Sequence, residues 1–159
     1  MKQPAIRPRS FWHWLAVGFG SGLAPRAPGT FGTLAALPLV VFAWWTLSPL
    51  VYAALTLPLF ALGVYASDRT ATAFNIKDPG AIVIDEWVGL WVSAVGLPFH
   101  WLNVLLLFVL FRVFDIAKPW PVSWADRRVH GGIGIMLDDL LAGAMACAVM
   151  HLGLALLAA

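Results

Sequence analysis

The chain has a single cysteine, Cys147, so it can form no internal disulfide and no multi-cysteine metal site. Lying in an apolar run, that thiol reads as a buried structural group. Charge is also scarce: 11% of the 159 residues are Asp, Glu, Lys or Arg, against about a quarter in a soluble domain, while 61% are hydrophobic. Water is therefore not the main solvent of this protein. The four histidines, His13, His100, His130 and His151, lack zinc-like spacing, which argues against a zinc site. No arginine stands six positions after Cys147, no Asp-x-Asp nucleophile motif occurs and there is no Walker A sequence, which removes three common phosphoryl-transfer machines. The Asp-Gly-x-x-Ala-Arg signature of CDP-alcohol phosphotransferases is missing too. A formal charge of +2 comes without a long basic face, so nucleic acid is not an expected partner.

What is present is apolar sequence in blocks. Five runs stand out: Leu34 to Leu47, Leu50 to Ala66, Trp87 to Leu97 extended back through Ala81 to Ile84, Trp101 to Ala117, and Leu140 to Ala159. Ser48-Pro49 and Leu97-Pro98-Phe99-His100 make tight connections between them. A span needs about 20 apolar residues, so the first run is extended back to about Gly32. The fold expected is all-α, a polytopic membrane helical bundle with four to five transmembrane helices in a single domain, 1–159. Phe11 to Ala24 is short, rich in glycine and followed by Arg26; it reads as a short interfacial or re-entrant segment, retained in the mature chain, and not as a cleaved signal. Trp12, Trp14, Trp87, Trp101, Trp120 and Trp124 fall near the predicted interfaces, where tryptophan anchors helices.

With a cytoplasmic N-terminus and five spans, every Lys, Arg, Asp and Glu falls on the cytoplasmic side. The positive-inside rule accounts for the bases but says little about acids. All eight acids on that side therefore call for a separate cause.

Three clusters hold the informative acids. Asp85 and Glu86 lie at the entry of the third run, where capping of the helix dipole is the plain alternative to chemistry. Arg112 and Asp115, three apart in apolar sequence, share a helix face; a mutual ion pair would explain them alone. Asp138 and Asp139 directly precede the fifth run after Gly131-Gly132-Ile133-Gly134. Antiparallel neighbours bring these three places level, so Asp85, Glu86, Asp115, Asp138 and Asp139 are candidate catalytic and metal-binding residues. Such carboxylates would repel one another unless a cation were present, and oxygen ligands favour a hard ion, Mg²⁺ or Mn²⁺. Gly22 to Gly32, which contains Arg26 and Thr30, offers backbone amides, a hydroxyl and a guanidinium at a helix entry, suited to phosphate but also to an ordinary turn. Asp68 and Arg69 read as a solvated loop, and Lys77 and Asp78 as the rim of a site.

Ala27-Pro-Gly-Thr-Phe-Gly-Thr-Leu, Asp78-Pro-Gly-Ala-Ile-Val-Ile-Asp-Glu, Phe111-Arg-Val-Phe-Asp-Ile-Ala-Lys-Pro-Trp-Pro and Gly131-Gly-Ile-Gly-Ile-Met-Leu-Asp-Asp together resemble the phosphatidylglycerophosphatase A family, in that family's order. The resemblance covers about Gly18 to Gly143. It implies a Mg²⁺-dependent phosphatase of the bacterial inner membrane that converts phosphatidylglycerophosphate to phosphatidylglycerol and inorganic phosphate. The substrate would lie in the bilayer among membrane lipids; the residues themselves offer Arg26, Thr30, Lys77, Arg112 and Lys118 to bind it, with the active site facing the cytoplasm. Water attack and a phospho-aspartyl intermediate both remain open. A divalent-cation or phosphate transporter is the rival reading; it would need a polar path across the bilayer, and no charged residue lies in the outer half of the expected helices.

Overall fold

The computed structural model describes residues 6–76 and 79–159. Among them there are no strands; seven α-helices and one 3-10 segment make up the fold. The chain runs through α1 (Phe11–Ala16), the 3-10 segment Gly18–Leu23, α2 (Pro28–Thr46), α3 (Pro49–Phe74), α4 (Ile84–Ser93), α5 (Trp101–Ala117), α6 (Val122–Arg128) and α7 (Gly131–Ala158).

Three of these, α2, α3 and α7, are long and apolar enough to cross a membrane. Their outward faces are apolar as well: Trp45, Leu57 and Leu157 are each at least 70% exposed, which only a hydrocarbon solvent makes inexpensive. At 17 residues, α5 rises roughly 26 Å. The third apolar run yields only the ten-residue α4, about 15 Å of helix and half the hydrocarbon thickness. Beyond it the backbone turns through Ala94 and Gly96, where φ is +73°, toward the His100 cap of α5.

Helix ends differ from the sequence expectations in ways that matter for the site. Pro28 opens α2, several residues ahead of Gly32, because a proline at the first position loses no helical hydrogen bond. Asp68 and Arg69 are not in a solvated loop: α3 continues to Phe74 and carries both on an exposed face. Asp68 Oδ1 there accepts from the Gly132 backbone N–H at 3.1 Å, which satisfies one of the free donors at the start of α7. That cap lets α7 begin at Gly131, so Asp138 and Asp139 lie two turns inside a helix and not before one. The short α6 was not marked by any apolar run.

Phe11 to Ala24 contains only six-residue pieces, interrupted by the non-helical Phe19 and Gly20, and none spans. It folds back against the start of α4, where Val83 N–H donates to Ala16 O at 2.9 Å. Gly18, Gly22 and Gly32 all press on Val83, so the 3-10 segment and α2 both close around the residues entering α4.

Helices α4 and α7 meet through glycine. A Cβ on Gly143 would come within 2.9 Å of the Gly89 carbonyl carbon, and one on Gly89 would strike the Phe111 ring and the Asp139 carbonyl. Asp85 and Asp139 each stand four residues before one of these glycines, on the same face of their helices. Close contact one turn below thus draws the two acids together.

Candidate active site

Asp85, Glu86 and Asp139 each offer a carboxylate oxygen, and these oxygens all lie within 4.8 Å of one another. Glu86 and Asp139 are buried and Asp85 is partly so. Asp85 also accepts from the Glu86 backbone N–H at 3.1 Å, a contact within the first turn of α4 that uses one of its oxygens. Glu86 Oε2 is buried with no hydrogen-bond partner. A buried acceptor left so costs about 1–3 kcal/mol and more when charged, and three neighbouring carboxylates add mutual repulsion. A hard cation bound among them removes both penalties, and an all-oxygen donor set suits one. By this test the three residues fit a metal ion.

Asp115 and Asp138 do not belong to that trio. Asp115 forms an ion pair with Arg112 at 2.6 Å, and the same Arg112 Nη1 stands 3.8 Å from Glu86 Oε1 and 3.4 Å from Thr33 Oγ1. Arg112 Nε is buried without a partner. Lys118, in a left-handed turn that ends α5, contacts Asp126 of α6 and lies 2.8 Å from Asp138. Burial works against its charge, but the hydrogen bonds to Asp126 and Asp138 outweigh that and hold the ammonium above the usual lysine range. The five expected acids lie close to one another, three of them as the carboxylate trio and two, Asp115 and Asp138, each paired with a cation beside it.

The start of α2 closes over this layer. A Cβ on Gly29 would collide with Glu86 Oε1 and come within 3.2 and 3.3 Å of the two terminal nitrogens of Arg112. Only glycine lets the helix entry approach so closely. Thr30, in the same turn, is half-buried, and Arg26 is exposed; among the described residues neither side chain makes an ion pair or hydrogen bond. The hydroxyl that reaches the charged layer is that of Thr33, one turn further on. Spacing carried a signal for it, since Gly29 and Thr33 are four apart in one glycine- and threonine-rich stretch. Lys77 and Asp78 lie outside the described residues.

All described Asp, Glu, Lys and Arg side chains belong to the N-terminal segment, the start or approach of α2, α4 and α7, the ends of α3 and α5, or α6. The contacts just given place those ends together. At the opposite end the turns are held by apolar and neutral groups, including Trp44 Nε1 donating to Leu97 O at 2.8 Å and Tyr52 stacked on Trp91 at 4.1 Å.

The phosphatidylglycerophosphatase A family matches residues 14–154. Phosphatidylglycerophosphatase A of Escherichia coli (strain K12) is 45% identical over 144 residues, which covers 88% of this chain and 81% of that protein. The Haemophilus influenzae protein of the same name is 42% identical over 139 residues, covering 87% of this chain and 85% of its own length. No solved structure matches the chain.

Proposed function

Because the chain belongs to the phosphatidylglycerophosphatase A family, we propose that it removes the terminal phosphate of phosphatidylglycerophosphate by hydrolysis, giving phosphatidylglycerol and inorganic phosphate. The observation that carries the chemistry is the buried trio Asp85, Glu86 and Asp139 with its unpartnered Glu86 oxygen. These three would hold Mg²⁺. When bound, the ion supplies charge neutralisation at the non-bridging phosphate oxygens.

The protein's own groups do the rest. Arg112 and Lys118 are cations at the rim of the trio, each kept in place by a carboxylate, Asp115 and Asp138 respectively. They take hold of the same phosphate, with the first turn of α2, including Thr30, and Arg26 and Lys77 at the mouth. Asp138 sits beside the trio in sequence but is tied to Lys118. As Lys118 turns to the phosphate, the freed Asp138 carboxylate orients the attacking water and accepts its proton. The departing lipid alkoxide takes a proton in turn from solvent at the headgroup layer.

The whole chain works as one integral-membrane domain. Four helices, α2, α3, α5 and α7, cross the bacterial cytoplasmic membrane, with the charged end in the cytoplasm as the positive-inside rule requires. Helix α4 enters from that end and stops partway, and α1 with the 3-10 segment lies at the interface. Acyl chains then stay in lipid while the phosphate reaches the helix ends. The test is phosphate release from phosphatidylglycerophosphate in mixed micelles with Mg²⁺ or with EDTA. Release that needs Mg²⁺ supports the reading, and none from folded protein with Mg²⁺ present overturns it.

A further inference from the structure

Thr33 is fully buried on the inner face of α2, and its hydroxyl donates to Gly29 O at 2.9 Å. A hydroxyl has one hydrogen, so toward Arg112 Nη1, 3.4 Å away, the Thr33 oxygen acts as an acceptor. Nη1 carries two hydrogens. Asp115 takes one at 2.6 Å, which leaves the other between Thr33 at 3.4 Å and Glu86 at 3.8 Å. Nothing fixes the guanidinium through Nε, which has no partner.

We propose that Thr33 is a positioning residue of the metal site: by accepting the second Nη1 hydrogen it keeps the Arg112–Glu86 ion pair at a long 3.8 Å and leaves Glu86 Oε2 free to ligate the cation. The inference rests on the metal-dependent reading above. Its physical basis is the strength of a guanidinium–carboxylate pair in a site shielded from water, where a fork-to-fork arrangement readily forms. Without a competing acceptor, Arg112 closes on Glu86 and occupies the oxygens that the ion needs. The Gly29 to Thr33 hydrogen bond serves the same end by aiming the hydroxyl's hydrogen away from Arg112.

The test measures Mn²⁺ binding by the purified full-length chain in detergent, from the electron paramagnetic resonance signal of free Mn²⁺, so that it does not depend on turnover. Thr33→Val and Thr33→Ala are each expected to weaken binding about tenfold, the lower end for groups that orient metal ligands. Thr33→Ser, which keeps the hydroxyl, restores wild-type affinity. In an Arg112→Gln background, Thr33→Val has no further effect, because no guanidinium remains to close on Glu86. A general loosening of α2 would instead weaken binding in both backgrounds. Wild-type affinity in both Val and Ala variants, or an undiminished effect of Thr33→Val without Arg112, overturns the proposal and leaves the phosphatase reading standing. If the wild-type chain binds no Mn²⁺, the metal reading falls and the proposal falls with it.

Discussion

Lys118 Nζ lies 2.8 Å from Asp138 Oδ2, while the next residue, Asp139, turns to Asp85 and Glu86. Two adjacent carboxylates on α7 thereby enter different environments, because successive residues on a helix point about 100° apart.

That divergence separates the effects of two similar substitutions. If Asp85, Glu86 and Asp139 hold the metal as proposed, Asp139→Asn is expected to abolish Mn²⁺ binding together with phosphate release. Asp138→Asn is expected to lower kcat by roughly 10²- to 10⁴-fold, as loss of a general base does, while Mn²⁺ affinity stays within a few-fold of wild type. Isothermal titration with Mn²⁺ beside steady-state kinetics reads both.

Gly29 has no room for a side chain against Glu86 and Arg112. Gly29→Ala is expected to reduce activity at least about tenfold, because a displaced catalytic layer is costly even for small shifts. Gly153→Ala, where nothing lies within 4 Å of the added methyl, is the matched control and keeps full activity.

The glycine contact between α4 and α7 makes a stability prediction. Gly143→Ala forces the two backbones apart and is expected to cost about 1–3 kcal/mol by overpacking, seen as a lower Tm in detergent. Because Asp85 and Asp139 ride on the same two helices, Mn²⁺ affinity falls with it.

Lys118 is held above the ordinary lysine range by Asp126 and Asp138. The sign follows directly: a raised folded-state value means its stabilising charge is fully present below the unfolded value, about 10.4, and is lost only as pH rises through the higher folded one. Any alkaline decline in activity below about pH 10 therefore belongs to another group. Lys118→Met is expected to raise KM for the lipid and leave the position of that decline unchanged in a pH–rate profile.

Much of this was legible in the sequence, for a physical reason. Acids within apolar sequence are expensive, so Asp85, Glu86, Asp115, Asp138 and Asp139 stand out, and antiparallel helices bring their positions level. Which of the five pair with a cation and which leave their oxygens to one another was not legible, since that depends on helix phase and on the Gly89–Gly143 contact. Thr30 was named and Thr33 was not, because only the packed structure shows which turn of α2 faces Arg112. The length of α4 was also hidden: its apolar run continues through Val95 and Leu97, but the backbone leaves the helix at Ala94 and no residue in the run marks that exit. Asp68 and Arg69 looked like loop residues because charge usually marks a helix end, whereas α3 extends past them and uses Asp68 to cap α7.

The most direct test of the account is phosphate release from phosphatidylglycerophosphate by wild type, Asp85→Asn, Glu86→Gln and Asp139→Asn, each with Mg²⁺ and with EDTA and each checked for Mn²⁺ binding. The account predicts Mg²⁺-dependent release by wild type and loss of both release and binding in all three variants. Folded variants that still bind Mn²⁺ and release phosphate at the wild-type rate would contradict it.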